Sequence, residues 1–507
     1  MEQADLGQIP TLSKLENFSK EELITRYQLV ANELARVIKE NYDLRGQQIS
    51  DEQIQILMDE QLGELRNVLF GASSERYKKP ETAKKKPLPH APRIKKPSER
   101  YPNVPVREVV LTLNPLPNCD VCGSAMSESG MTEDSEQLTV IPKKYEILRQ
   151  KRMKYRCGCQ ACLLTTPVPA RIIPGSSYSD EMIQDVALSK YCDLIPMERY
   201  VGMAARGGLM DLPPQSLIGL THDFADFVQG AVDRLKSEAM RARVLQADET
   251  PHRMLEGSKT KSWYLWGFST PEVCFLECHD TRSGDVASEI LLKSQCEVLV
   301  TDVYSGYGKA IKVANKERIF EGRALIQNAH CNAHARRYFF KSRINYPEAE
   351  YYLEQYHQVY QLNGESKGNS PPEILELRSQ MRVRFEAMRQ RAFEELPRYP
   401  SKNQYQKALN YFLENYAGLT RFLTDAQIPM DNNAQERLLR SHVVGRKTWY
   451  GTHSERGAKT AGVMFSLVET CKLNDVNPRE YFENLVQDLL LGQNAYTPKE
   501  FKDLRHS

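Results

Sequence analysis

The stretch Val244-Leu-Gln-Ala-Asp-Glu-Thr-Pro251 places one acidic residue, Asp248, at the end of a short apolar run. Apolar runs of this length predict a buried strand. A carboxylate that leaves the end of a buried strand is well placed to bind a metal ion. We therefore expect a metal-dependent site where this strand ends.

Two later stretches supply partners for this carboxylate. The run 298–306 presents Asp302 after a second apolar segment, and 430–438 presents Glu436 on a helix that starts near Asp431. Three converging carboxylates suit two magnesium or manganese ions, which take oxygen ligands and promote phosphodiester chemistry. We expect Asp248 to bridge the two ions, with Asp302 and Glu436 flanking, over a nucleic-acid substrate.

The element order around these acids favours a ribonuclease-H-like core. Three successive strands are followed by alternating helix and strand, and in that fold the first and fourth strands are adjacent. The predicted strands are 243–248, 262–269, 273–279, 297–302 and Leu325–Ala329, and the predicted helices are 284–293 and 334–345. Residues 346–425 predict an all-helical insertion broken at Asn363–Pro372, with a separate helical domain as the alternative. Further helices are expected at 460–472 and 478–491.

Length and composition set the broad class. The chain has 507 residues, which suggests about three domains, and its 41% hydrophobic and 26% charged residues are ordinary for a soluble protein. No apolar run reaches the roughly 18 residues of a membrane span, and Met1–Leu6 lacks the pattern of a signal peptide. We expect an intracellular chain without membrane contact. Eleven cysteines then favour metal binding or buried thiols over disulfides.

Residues 20–45 carry a heptad pattern. Its repeating positions are Leu23, Val30, Val37 and Leu44, with Tyr27, Leu34 and Asn41 between them. This pattern predicts a coiled-coil seam and a homo-oligomer. The alternative is a helix that packs on its own protein. A second helix is expected at about 51–70.

Residues 78–100 hold nine Lys or Arg, two Glu and five Pro, although the whole chain is only +2. The prolines favour an extended linker. The concentrated positive charge predicts contact with nucleic-acid phosphates. A solvated linker without such contact is the alternative.

Two cysteine groups predict a zinc ribbon that binds one ion. Cys119 and Cys122 form a first C-x-x-C pair, and Cys159 and Cys162 a second, with Cys157 as an alternative ligand. The strands between them are expected at 137–141 and 144–156. Their basic residues favour a ribbon that binds nucleic acid: Lys143, Lys144, Arg149, Lys151, Arg152, Lys154 and Arg156.

The helical pattern of 180–241 is weaker evidence for DNA recognition. Helices are predicted at Glu181–Tyr191, Met197–Ala205 and Pro214–Arg241, separated by Gly207-Gly208 and by Leu212-Pro-Pro214. This arrangement is similar to a helix-turn-helix. The alternative is a helical linker that packs against the next domain.

A resemblance to a known family follows from several motifs in one order. The chain resembles the insertion-sequence-66 family of bacterial DDE transposases over nearly its whole length. The motifs are Val68–Glu75, Ala247–Pro251, Asp302–Tyr307, Cys331–Arg337, Asp431–Arg437, Gly445–Lys447 and Ser466–Asn474, together with the cysteine groups. One departure concerns the segment Cys157–Cys162, which is two residues longer than the family's usual spacing and leaves the third zinc ligand open.

The resemblance implies an enzyme that joins the ends of an insertion element to target DNA by transesterification. It implies a DDE triad of Asp248, Asp302 and Glu436, small accessory proteins as partners, and a bacterial cytoplasmic, nucleoid-associated location. His334 either contacts substrate or stabilises the core. The residues expected to contact DNA are His334, Arg337, Arg437, Arg440, Arg446 and Lys447. A catalytically silent DNA-binding protein or repressor and a stand-alone nuclease or resolvase are the alternatives.

The expected fold class is therefore a multidomain α+β protein with a ribonuclease-H-like catalytic core. Its expected regions are a zipper-like helical region (1–77), a basic Pro-rich linker (78–104), a zinc-binding domain (105–173), a helical DNA-binding region (174–242), the first segment of the core (243–345), the helical insertion (346–425), the second segment of the core with the catalytic Glu436 (426–459) and C-terminal helices (460–507).

Overall fold

A computed structural model describes the protein at residues 20–45, 49–58, 96–112, 114, 117–127, 131, 134–141, 143–158, 162–255, 262–401 and 403–506. The chain forms two compact units. The first contains Met1–Ser73, Gln150–Ala205 and Met210–Ser507, and the second contains Ser74–Arg149 and Arg206–Leu209. The protein is α+β with one mixed five-stranded sheet. The basic linker residues 78–95 lie outside the described residues.

Helix α1 (Lys20–Asp43) packs on its own protein through one face and leaves another exposed. Ile38 and Tyr42 are buried against Ile54 and Met58 of the helical residues 51–58. The Tyr42 hydroxyl also donates to the carbonyl oxygen of Ser401 at 2.6 Å. The heptad positions Val30, Val37 and Leu44 are 50%, 40% and 86% exposed. The packing alternative is therefore right for one face, and self-association through the other stays a prediction.

The second unit contains a short helix, α2 (Pro97–Arg100), and an isolated bridge between Asn118 and Ala125. The backbone N–H and hydroxyl of Ser98 donate to the Glu136 carboxylate at 2.8 and 2.9 Å. The strand predicted at 137–141 is wrong for its described residues, which are irregular. Ile141 is 84% exposed, so these apolar side chains pack against no sheet.

The strand predicted at 144–156 is present only at its end. Strand β1 (Lys154–Arg156) pairs antiparallel with β2 (Leu163–Thr165), and Arg156 lies opposite Leu163. Residues 143–153 are irregular, and Ile147 is 93% exposed. The hairpin is closed by the Cys157 N–H, which donates to the Cys162 carbonyl oxygen, whereas 143–153 has no partner strand within the described residues.

Four helices precede the sheet: α3 (Asp180–Tyr191), α4 (Met197–Arg206), α5 (Pro214–Phe227) and α6 (Gln229–Arg241). The single helix predicted at 214–241 is wrong, because Val228 (φ −94°, ψ 6°) breaks it. Helix α3 is buried from Ile183 to Tyr191, and the Tyr191 ring packs edge-on against Phe465 at 5.4 Å. This is the packing that the linker alternative predicts; DNA recognition here stays a prediction.

The mixed sheet contains β3 (Val244–Arg253), β4 (Ser262–Ser269), β5 (Cys274–His279), β6 (Val298–Thr301) and β7 (Gln327–His330). Its order is β5-β4-β3-β6-β7, with β3 to β5 antiparallel and β3, β6 and β7 parallel. The five predicted strands are present, and the expected adjacency of the first and fourth is confirmed. Strand β3 is longer than predicted, because its second half stays paired with β4.

Helices α7 (Asp285–Lys293) and α8 (Ser305–Glu321) pack together beside the sheet. The sequence reasoning did not identify α8, although its buried residues Tyr307, Ala310, Ile311 and Ala314 recur at the helical spacing i, i+3, i+4 and i+7. Its buried Arg318 donates to the carbonyl oxygens of Cys296, Ala324, Leu291 and Ser294. This side chain joins the ends of both helices to the start of β6.

The close approach of Gly284 and Gly306 lets α7 and α8 begin side by side, since a Cβ on Gly284 would overlap the carbonyl oxygen of Gly306. We expect Gly284→Ala to lower the free energy of unfolding by about 1–3 kcal/mol. Gly308→Ala is the matched control, because a Cβ there meets nothing within 4 Å. Chemical denaturation measures both; equal stability of the two variants would contradict the steric account.

Helix α9 (Asn332–Ser342) corresponds to the helix predicted at 334–345 and leads into the predicted insertion. The insertion contains α10 (Ala349–Glu365), α11 (Pro371–Glu395), α12 (Gln404–Glu414) and α13 (Tyr416–Leu419). Short 3-10 turns follow α11 and α13. The expected break at 363–372 is confirmed. The aromatic core of the insertion forms one cluster with Val298, Val300 and Ala329 of the sheet.

The chain then returns to the sheet through α14 (Asn433–Trp449) and ends with α15 (Glu455–Leu473), α16 (Pro478–Leu490) and α17 (Pro498–His506). Ser466 and Thr470 of α15 hydrogen-bond the backbone of β5. Within the part of the chain that the structure describes, none of the helices combines the length and apolar character that crossing a membrane requires.

Candidate active site

Strand register brings Asp248 and Asp302 to the same level of the sheet. Val244 pairs with Val298 and Gln246 with Val300 in a parallel ladder, and the same offset places Asp248 opposite Asp302. The expectation that Asp248 ends its strand is wrong, because β3 continues to Arg253. The pairing between β3 and β6 ends near Asp248, and beyond it the two strands are no longer hydrogen-bonded to each other.

Glu436 is placed by the residue that precedes α14. The Asn432 side chain is 1% exposed, donates to the Ala247 carbonyl oxygen at 2.8 Å and accepts from the Gln246 amide at 3.1 Å. Its backbone N–H donates to Sγ of Cys331 at 3.2 Å. These contacts hold the start of α14 against the residue before Asp248, so Glu436 lies one helical turn away from it. The expected start of the helix is near Asp431, which in the structure precedes the N-cap Asn432 and accepts from the Asn433 N–H.

Asp302 and Glu436 lie near enough to Asp248 to affect its pKa, although the described residues do not hold ligand atoms of all three acids within 4.8 Å of one another. Burial raises the pKa of Asp248 to about 8, and the charges of Glu249, Asp302 and Glu436 contribute to this rise. The opposing contribution is one backbone hydrogen bond from Glu249, at 2.9 Å. Three oxygen donors whose charges repel one another fit magnesium, because a divalent cation would remove the repulsion and takes carboxylate oxygens.

Glu249 is a further acid at this site that sequence reasoning did not single out. Its side chain is 2% exposed. The Arg282 guanidinium donates to Oε1 at 2.6 and 2.8 Å, and the Tyr307 hydroxyl donates to Oε2 at 2.6 Å. Arg282 also stacks on the Tyr304 ring at 4.3 Å. Because both carboxylate oxygens are engaged, Glu249 is a supporting residue; its adjacency to Asp248 was the only signal in the sequence.

The basic residues after Glu436 divide between two sides of α14. Arg437, Arg440 and Lys447 lie at spacings of three and seven, which place them on one helical face. Arg446 is half-buried on another side. Of the four expected DNA contacts on α14, three therefore share one helical face and Arg446 lies on another.

The remaining two predicted contact residues lie on α9. His334 faces the catalytic candidates, since its Nδ1 is 3.7 Å from Oε1 of Glu436. Arg337 is one turn further along and half-buried. Both stay predictions as DNA contacts.

Cys119 and Cys122 lie on a tight turn of the second unit. The Cys119 N–H donates to the Ser124 carbonyl oxygen at 2.8 Å, and the Gly123 N–H donates to that of Cys119 at 2.9 Å. Gly123 has φ +74°, which favours glycine. Hydrogen bonds from Ser124 lower the pKa of the Cys122 thiol. This turn suits two zinc ligands.

The other cysteine group belongs to the first unit. Cys157 follows β1 and Cys162 precedes β2, and the Cys157 N–H donates to the Cys162 carbonyl oxygen at 3.0 Å. Cys159 lies outside the described residues. The zinc ion, and the choice between Cys157 and Cys159, stay predictions.

A buried histidine pair joins the two elements that carry Asp248 and Glu436. His252 Nδ1 is 2.8 Å from Nε2 of His442, and His252 Nε2 is 2.8 Å from the Thr452 hydroxyl. Burial lowers the pKa of His252 to about 4, and Arg446 adds to this effect. Burial, His252 and Arg446 hold the pKa of His442 well below its ordinary value. Both rings are therefore neutral at pH 7.

Acidification should weaken this connection. Unfolded histidine has a pKa of about 6.5, so below that pH the unfolded chain binds protons that the folded protein excludes. Stability should then fall as pH drops from about 6.5 towards 4, by about 1.4 kcal/mol per histidine and pH unit. Thermal unfolding across this window measures it. A His252→Gln/His442→Gln variant should have a smaller slope than the wild type; an unchanged slope would contradict the neutral pair.

Comparison with known proteins gives a consistent result. The sequence profile of the Transposase IS66 family matches residues 175–460. Two uncharacterised proteins of Sinorhizobium fredii (strain NBRC 101917 / NGR234) are similar to this chain. One, y4qI, is 26% identical over 88% of this chain and 82% of its own length. The other, y4hP, is 24% identical over 76% of this chain and 73% of its own length.

Proposed function

The chain belongs to the IS66 transposase family, and we propose that it binds the ends of an insertion element and catalyses metal-dependent DNA strand cleavage and transfer. The observation that supports this most is the convergence of Asp248, Asp302 and Glu436, which come from β3, the end of β6 and the first turn of α14. A site of three carboxylates serves phosphodiester chemistry on DNA.

The sheet supports a ribonuclease-H-like assignment. Three antiparallel strands followed by two parallel ones, with β3 beside β6, is the arrangement expected for that fold. The helices 349–424 then form an insertion between Asp302 and Glu436, and they share a core with β6 and β7. We propose that this insertion orders the segment that returns to Glu436.

Asp248, Asp302 and Glu436 would hold magnesium or manganese, since both other acids lie near enough to Asp248 to act on it electrostatically and these ions take carboxylate oxygens. Two bound ions would supply charge stabilisation for the attacking and leaving oxygens. The protein's own contribution is to fix the carboxylates: Asn432 orients α14, and Arg282 and Tyr307 hydrogen-bond the Glu249 carboxylate beside Asp248.

DNA would approach along the face of Arg437, Arg440 and Lys447. Side chains of this kind neutralise phosphates without reading sequence. The basic linker 78–104 and the proposed one-zinc ribbon would add contacts to the element ends. We also propose that small accessory proteins are partners of this chain and that it is associated with the nucleoid, since membership of the family implies both.

One assay separates the proposed enzyme from a silent DNA-binding protein or repressor. Purified protein is incubated with labelled DNA that carries the element's terminal repeats, with and without magnesium. Joined or nicked product that requires magnesium supports the transposase. Specific binding without any product would favour the repressor, and cleavage of DNA irrespective of the terminal repeats would favour a nuclease.

Self-association is proposed through the exposed heptad face of α1. We expect Val37→Lys to lower the mass measured by light scattering, because a charge at a seam position opposes packing between helices. Lys39→Glu is the control, since Lys39 is exposed on another side of the same helix. A mass that neither substitution changes would remove α1 from the interface.

A further inference from the structure

The start of α9 lies against the start of α14, and this brings a thiol and an imidazole close to the Glu436 carboxylate. Cys331 precedes the first turn of α9 and His334 follows three positions later, so both side chains lie on one side of the helix start. A ligand atom of Cys331, one of His334 and one of Glu436 all lie within 4.8 Å of one another.

Two of these atoms face each other without a hydrogen-bond partner. His334 Nδ1 and Glu436 Oε1 are shielded from solvent, and neither has a partner within the described part of the chain. Their separation of 3.7 Å exceeds the roughly 2.7–3.2 Å of an N–H···O hydrogen bond. It is close to the distance between a nitrogen and an oxygen ligand of one tetrahedral zinc ion, about 3.3–3.5 Å for bonds of about 2.0–2.2 Å.

Backbone hydrogen bonds are directed at the Cys331 sulfur. It is buried, and it accepts the backbone N–H of Asn432 at 3.2 Å together with the backbone N–H of His334. Burial raises the pKa of this thiol, so a bound metal ion would have to displace its proton, and the two backbone donors would then stabilise the thiolate. A thiolate and a carboxylate, together with a neutral imidazole, would balance the charge of a divalent ion to zero.

We propose that Cys331, His334 and Glu436 form a binding site for a borderline or soft divalent ion, with zinc as the best match. Thiolate and imidazole select zinc over magnesium, and three protein ligands leave a fourth position for water. This site is separate from the predicted ribbon at the cysteines 119–162. Because it uses Glu436, zinc would compete with magnesium for that carboxylate; this inhibitory consequence rests on the proposed function, whereas zinc binding does not.

Cobalt titration of the full-length protein tests binding without any activity assay. We expect thiolate-to-cobalt charge-transfer absorption that is weaker in Cys331→Ser than in the wild type. Cys122→Ser should retain the absorption that comes from Cys331, because Cys122 belongs to the predicted ribbon. Calorimetric zinc titration should show that Cys331→Ser and His334→Gln each weaken one binding event by about tenfold or more. Thermal unfolding of the metal-free variants shows whether they are folded, and His334→Gln stands in if Cys331→Ser is not. Zinc stoichiometry and affinity unchanged in both variants would overturn the proposal.

Zinc inhibition tests the consequence. With magnesium fixed, zinc should inhibit DNA joining by the wild type at lower concentration than it inhibits Cys331→Ser, each compared with its own zinc-free rate. Equal inhibition of both proteins would refute competition at Glu436. A wild type that binds cobalt through Cys331 but joins no DNA would refute the proposed function and leave the zinc site supported.

Discussion

Asp248→Asn should abolish magnesium-dependent strand transfer, lowering its rate by about 10³-fold or more. The substitution keeps the size of the side chain and removes the carboxylate that interacts with both Asp302 and Glu436. Binding of the element ends should be largely retained, because none of the basic residues of α14 is altered. The measurement is joining of end-containing DNA alongside a gel-shift assay of the same preparation.

The same variant has a second expected property. The pKa of Asp248 is raised in the folded protein to about 8, whereas in the unfolded chain it is about 3.9. The folded protein therefore loses stability relative to the unfolded chain as pH rises from about 3.9 to about 8. Metal-free Asp248→Asn should therefore be more stable than metal-free wild type at pH 7, by about 2 kcal/mol or more. Asp280→Asn, at an exposed position, is the control for both measurements. Normal joining by Asp248→Asn would remove Asp248 from the catalytic set.

Arg378→Met should cost about 3–5 kcal/mol of folding stability. Arg378 on α11 is 4% exposed and donates to the carbonyl oxygens of Phe422, Asp425 and Ile428, the last at 3.0 Å. Burial lowers its pKa to about 10, so it is still charged at pH 7. Methionine fills the space but leaves three buried acceptors without a donor.

The loss should reach the active site as well, because 422–428 is the segment that returns the chain to Asn432 and Glu436. We expect strand transfer by Arg378→Met to fall even at temperatures where the variant is folded. Arg382→Met, one turn along α11 and exposed, should change neither property. Stability equal to that of the control, measured by denaturant unfolding, would show that this arginine does not hold the return segment.

The strands and the acids on them were predictable from local pattern. Apolar runs such as 298–301 are buried on both faces, so their composition identifies them without reference to partners. The errors occurred where an element depends on distant contacts. The second half of β3, with its polar residues, is a strand because β4 pairs with it, and 143–153 is irregular because its apolar side chains meet no sheet.

The sequence by itself determined the presence of the five strands, the three candidate carboxylates and the family resemblance, because each depends on residues that are close along the chain or arranged in motifs. Only the tertiary structure decided which side chains hold those carboxylates: Asn432 against Ala247, Arg282 on Glu249, and the His252–His442 pair. It also decided that Glu436 faces His334 and Cys331. These contacts join residues up to 190 positions apart, and a hydrogen bond's geometry over that separation follows from packing, not from local sequence.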